Sequence, residues 1–98
     1  MTFADLTNSD KPVLVDFYAD WCAPCRAMKP VLEDVKHQMG DQVSIYKIDV
    51  DQNQALAERF AIRSIPTLLI FKDGEAVWRK SGMASSAELQ RQIAQFQS

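Results

Sequence analysis

The spacing of apolar residues changes character several times along this chain, and each change marks an element. Val13-Leu14-Val15-Asp16-Phe17-Tyr18 is rich in β-branched and aromatic residues with no alternation, the pattern of a strand covered on both faces. Its one charged member, Asp16, is the anomaly. From Pro24 to about Met39 the apolar positions Met28, Val31, Leu32, Val35 and Met39 recur at steps of three and four, which places one buried stripe on a helix. Pro30 lacks the amide that an internal turn needs and should kink that helix, and Gly40 should end it. Val43 to Ile48 predicts a second strand after a Gly-Asp turn, and Asp51-Gln52-Asn53 introduces a short helix from Gln54 to Phe60. Pro66 to Phe71 predicts a third strand, Lys72-Asp73-Gly74-Glu75 a hairpin turn, and Ala76 to Lys80 an antiparallel return carrying Trp78. Ser85 and Glu88 fit a capping box opening a last helix, with Leu89, Ile93 and Phe96 on its inner stripe. The stretch before Lys11 has room for a turn or two of helix, anchored by Phe3 and Leu6. This order of elements gives an α/β fold, a central mixed sheet of four or five strands flanked by helices.

Composition narrows the function classes. Ninety-eight residues support one core, so residues 1–98 are expected to form a single domain. Lys and Arg number 11 against 13 Asp and Glu, giving a net charge of −2 with no basic face, which argues against nucleic acid or an anionic membrane as partner. The longest apolar run is Leu68-Leu69-Ile70-Phe71, far short of a membrane span. The start Met1-Thr2-Phe3-Ala4-Asp5 has neither the basic region nor the apolar stretch of a signal peptide, so a cytoplasmic protein is expected.

Both cysteines lie in Trp21-Cys22-Ala23-Pro24-Cys25, where the first strand gives way to the long helix. A thiol at a helix N-terminus faces unpaired amides and the positive end of the helix dipole, and both favour the thiolate. Lowering a thiol pKa from roughly 8.5 to about 7 raises the thiolate fraction at neutral pH from about 3% to about half. Cys22, at the helix start, gains most. Cys25, one turn in and expected to be less exposed, can close a disulfide onto it, so Cys22 should attack a substrate disulfide and Cys25 resolve the mixed disulfide. A zinc site would need four ligands where the chain adds only His37, itself read as a surface side chain, so no metal is expected. A purely structural disulfide would close too small a loop to constrain the unfolded chain much, and buried inert thiols are the remaining alternative. Asp16, set among apolar strand residues, should have a raised pKa and could act as acid or base; the other reading is a partnered Asp at a strand edge. Asp49 and Asp51 are read as cap and turn residues, and Trp78 and Met83 as packing or rim.

The run Val15-Asp16-Phe17-Tyr18-Ala19-Asp20-Trp21-Cys22-Ala23-Pro24-Cys25-Arg26 resembles the active-site segment of the thioredoxin family. Lys47-Ile48-Asp49-Val50-Asp51, Ile62-Arg63-Ser64-Ile65-Pro66-Thr67, Phe71-Lys72-Asp73-Gly74 and Gly82 follow in that family's order, so the resemblance covers about Pro12 to the C-terminus. It implies a thioredoxin-like fold and a reductase of protein disulfides, cycling a Cys22–Cys25 disulfide. No cofactor would be bound, and NADPH and FAD would enter only through a partner thioredoxin reductase. It further implies that Asp16 lies beneath Cys25 and helps deprotonate it, with Lys47 nearby; an exposed strand lysine is the plainer reading of Lys47. The resemblance makes the bond before Pro66 cis, against the ordinary preference for trans. Ile65 would then offer its main chain to an extended substrate, and Trp21, Ile65 and Gly82 would frame an apolar rim, with Thr67 beside them. Trp21 as simple packing is the alternative.

Three departures stand out. Ala23 replaces the Gly usual before Pro24, a place that tunes redox poise. Tyr18 stands where many members have Trp. A typical member also has an N-terminal strand beside the one matching Val43 to Ile48, whereas only Met1 to Lys11 precede the first strand here. That sheet edge is expected to be shielded by the N-terminal segment or by another subunit; the protein is expected to be a monomer, with a dimer through this edge as the variant. The rival functions are net oxidation or isomerisation of disulfides by the same residues, and a redox-independent binding module.

Overall fold

The computed structural model describes residues 1–97. Its elements are α1 (Phe3–Thr7), β1 (Val13–Tyr18), α2 (Ala23–Met39), a 3-10 turn (Gly40–Gln42), β2 (Ser44–Asp49), α3 (Gln54–Arg59), β3 (Thr67–Lys72), β4 (Glu75–Ser81) and α4 (Ser86–Gln95). The four strands form one sheet in the order β2-β1-β3-β4. β1 and β2 run parallel, joined through α2, while β3 and β4 run antiparallel to their neighbours. Asp73 (φ 51) and Gly74 (φ 83) turn the β3–β4 hairpin with two left-handed residues, the geometry that matches strand twist.

Because successive strand residues point to opposite faces, β1 serves two cores. Leu14 meets Met28, Leu32 and Val35 of α2, Leu68 and Ile70 of β3, and Leu89 and Ile93 of α4. Val13, Val15 and Phe17 meet Leu69 and Phe71, with Phe3 of α1 and Phe60 at the end of α3 packed against them. Asp16 shares the face of Leu14 and therefore lies under α2.

The structure alters several sequence expectations. α2 continues through Pro30, which lies on its exposed side, to Met39. Only half of the expected capping box opens α4: the Ser85 hydroxyl accepts the Glu88 amide at 3.1 Å, but the Glu88 carboxylate takes the Lys80 ammonium at 2.7 Å. A complete box, Thr2 with Asp5, opens α1 instead. That helix does not cover the β2 edge. Phe3 is drawn into the aromatic cluster, and the Thr7 and Ser9 carbonyls accept the Gly74 and Asp73 amides, so the N-terminal segment is fastened to the β3–β4 hairpin. β2 is thus a sheet edge among the described residues, with Lys47 exposed along it.

Candidate active site

Cys22 is the N-cap of α2, and its Cα lies 5.2 Å from that of Cys25, to which it is disulfide-bonded. The local sequence dictates how the first amides of the helix are used. Pro24, in the first turn, has no N–H. The Arg26 amide donates to the Cys22 carbonyl at 3.1 Å, and the Cys25 amide donates to the Cys22 sulfur at 3.2 Å. One of the orphan donors of the helix is therefore spent on this sulfur, at the end where the dipole favours negative charge. The expected contrast in exposure is absent: Cys22 is 4% and Cys25 3% exposed, because the closed disulfide is packed by Ala19, Tyr18, Val50 and Ile65. The asymmetry lies in hydrogen bonding. Cys22 Sγ has the Cys25 amide and also approaches the Ile65 carbonyl oxygen at 3.7 Å. Ala23 and Pro24 are exposed and shape the turn.

Asp16 is fully buried, and neither carboxylate oxygen has a hydrogen-bond partner. The partnered strand-edge reading fails, since β1 is central. Burial raises its pKa from 3.8 to about 6, with Lys47 pulling the other way. Lys47, in register with Asp16 on β2, is exposed, and its ammonium lies 4.6 Å from the centroid of the Tyr18 ring. Tyr18, Cys25 and Lys47 line a cleft of about 170 Å3 together with Ala19, Asp20, Arg26 and Lys29.

The Ile65–Pro66 bond is cis, as expected. The Gly82 amide (φ 98) donates to the Pro66 carbonyl at 2.8 Å, tying the end of β4 to this loop. Thr67 is fully buried and its hydroxyl donates to the Ser64 carbonyl at 2.6 Å, so its side chain braces the loop. Trp21 is 68% exposed, which rules out the packing reading, and its indole N–H donates to Asp51 at 2.9 Å. Met83 is exposed, while Trp78 packs against the α2–α4 core. Asp49 orders the turn after β2 by accepting the Asp51 amide at 2.8 Å. No group of three metal-ligating side chains occurs among the described residues.

The sequence model of the Thioredoxin family matches residues 2–95. The chain belongs to the thioredoxin family. A thioredoxin of Mycolicibacterium smegmatis is 48% identical over 92 residues, covering 92% of this chain and 82% of that protein. A thioredoxin-like protein of Synechocystis is 46% identical over 91 residues, covering 93% and 87%. A bifunctional thioredoxin reductase/thioredoxin of Mycobacterium leprae is 44% identical over 92 residues; these cover 94% of this chain and 20% of that protein. Among solved structures, a mutant thioredoxin from Halobacterium salinarum superposes with a TM-score of 0.88 at 41% identity, over 97% of this chain and 82% of the other. With its Cys-x-x-Cys pair closed at the head of α2, this member of the family is a thiol–disulfide oxidoreductase of the protein-disulfide reductase type.

Sequence reasoning missed three participants. Val50 packs on the cysteine cluster, Asp51 anchors Trp21, and Tyr18 carries Lys47. Each is a contact between distant segments, and only the presence of Tyr18, Val50 and Asp51 within family-like motifs pointed to them.

Proposed function

We propose that this thioredoxin reduces protein disulfides by a two-step exchange with fixed roles. The Cys22 thiolate attacks one sulfur of the substrate disulfide, forming a mixed disulfide and releasing the other sulfur as a thiolate that takes a proton from solvent. Asp16 accepts the proton of Cys25, whose thiolate then attacks the Cys22 sulfur. The Cys22–Cys25 disulfide forms, the second substrate sulfur leaves as a thiolate that takes a proton from solvent, Asp16 returns its proton to solvent, and two electrons have passed to the substrate. The observation that carries the assignment is the Cys25 amide held 3.2 Å from Cys22 Sγ, a donor directed at the sulfur that must bear charge. The unpartnered Asp16 supports its part, since a carboxyl with a pKa of about 6 can hold or release a proton near neutral pH.

Trp21, Ile65 and Gly82 form the docking rim for an extended substrate segment, with the Ile65 main chain beside the reacting sulfur. Lys47 tunes Asp16, and Ala23 and Pro24 set the redox poise of the pair. The returning electrons come from a thioredoxin reductase that draws on NADPH through its own flavin; the relative that joins both activities in one chain fits this pairing. We place the protein in the cytoplasm, as a monomer folding as one domain. A lysine in the middle of an exposed edge strand is a common guard against strand pairing.

The test is NADPH consumption coupled through thioredoxin reductase with insulin as substrate, for wild type and Cys22→Ser. Loss of turnover in the variant is expected, and retained turnover would refute the assignment. A reduction potential at or below the cytosolic glutathione poise of about −220 to −260 mV separates this reading from net oxidation.

A further inference from the structure

Lys47 stands in register with Asp16 on the neighbouring strand, yet neither Asp16 oxygen receives a hydrogen bond from it. Its ammonium lies over the ring of Tyr18, which projects from β1 on the same face, two residues beyond Asp16. An ammonium above an aromatic face is held by the negative charge density of the ring without giving up its water. Lys47 and Tyr18 also form part of the wall of the cleft that Cys25 lines.

We propose that Tyr18 is a positioning residue whose ring holds the Lys47 ammonium at the mouth of the cleft beside Cys25, near enough to act on Asp16 through space and too far to bond it. The inference rests on the reading of Asp16 as proton acceptor for Cys25. A lysine in direct contact would fix Asp16 as a permanent anion, while a lysine released to solvent would leave the carboxyl too weak an acid to be ionised when needed. The ring keeps it between these limits.

The other charged or titratable groups that line the cleft are Cys25, Arg26 and Lys29 from α2, and Asp20. Asp49 lies in register with Tyr18, and the β3 neighbour of Asp16 is the apolar Leu68. Burial first, then Asp20, Asp49 and Asp16, push the Tyr18 phenol above its ordinary value. Tyr18 is therefore neutral at working pH and acts through its ring face. Without the ring, Lys47 goes to water, because reaching a fully buried carboxylate would strip the ammonium of its hydration.

The experiment is titration of the Asp16 carboxyl by carbon-13 NMR in wild type, Tyr18→Phe, Tyr18→Leu, Lys47→Met and the Tyr18→Leu/Lys47→Met double variant. The Phe variant keeps the wild-type midpoint. The Leu variant moves it upward, toward that of Lys47→Met, and the double variant moves it no further than Lys47→Met alone. An unchanged or lowered midpoint in Tyr18→Leu, or additive shifts in the double variant, would overturn the proposal. Should Tyr18→Leu fail to fold, the wild type decides: Lys47 ε-methylene protons upfield of free lysine support the ring contact, and protons at the free position refute it. The pH profile of insulin reduction separates the underlying reading. If the Asp16 midpoint moves as expected and the profile does not follow it, the acid–base role of Asp16 fails while the positioning role of Tyr18 stands.

Discussion

The two faces of β1 follow different rules. Toward α1 and α3 the strand offers Val13, Val15 and Phe17, and the rings of Phe3, Phe17, Phe60 and Phe71 meet at centroid distances from 5.4 to 6.5 Å. Toward α2 it offers Leu14 and then Asp16, a carboxylate with no partner. Buried polarity is not treated alike throughout the sheet. Thr67, equally inaccessible on β3, satisfies its hydroxyl on the Ser64 carbonyl, as buried polar groups ordinarily do. Both faces bury apolar side chains, and only the one toward α2 also carries an uncompensated ionisable group. The difference is why the proposed acid–base role falls to the helical side, while both sides stabilise the fold.

Breaking the aromatic side should have the largest effect. Phe71→Ala removes a ring with two neighbours at 5.4 and 5.5 Å and should cost about 3–5 kcal/mol in urea denaturation, with little dependence on pH. Asp16→Asn should do the opposite on the other face. A carboxyl whose pKa rises from 3.8 in the unfolded chain to about 6 in the folded one favours folding only while protonated. Its ionisation costs about 3 kcal/mol above pH 6, and the cost disappears as the pH falls below 3.8. The oxidised Asn variant should therefore be more stable than wild type at pH 8 by up to that amount, with the gap closed near pH 3.5. A gap that stays constant with pH would remove Asp16 from the account. Thr67→Val sharpens the contrast, because it deletes a satisfied hydroxyl and should cost about 1 kcal/mol at every pH.

Much of this was legible in the sequence wherever neighbours along the chain decide the outcome. The unalternating run at β1 marked a central strand, and the single charge within it marked the anomaly that the buried, partnerless Asp16 turned out to be. The cysteine pair at a strand-to-helix junction pointed to the head of α2. What could not be read depends on contacts across the fold. Glu88 has a local partner in Ser85 but is taken by Lys80 from β4. Phe3 looks like an anchor from sequence, but its docking against the β3–β4 hairpin side, away from the β2 edge, follows from bonds to Asp73 and Gly74. The equal burial of the two sulfurs comes from Val50 and Ile65 closing over a pair that spacing alone would leave unequal.

In the proposed exchange the head of α2 holds one sulfur ready to ionise. Alkylation of the fully reduced protein with iodoacetamide, followed across pH and mapped to each cysteine by mass spectrometry, tests it most directly. Cys22 should react first, with a midpoint well below the roughly 8.5 of a free cysteine, while Cys25 lags. A Cys22 that reacts at neutral pH no faster than free cysteine, or a Cys25 that reacts ahead of it, would contradict the account.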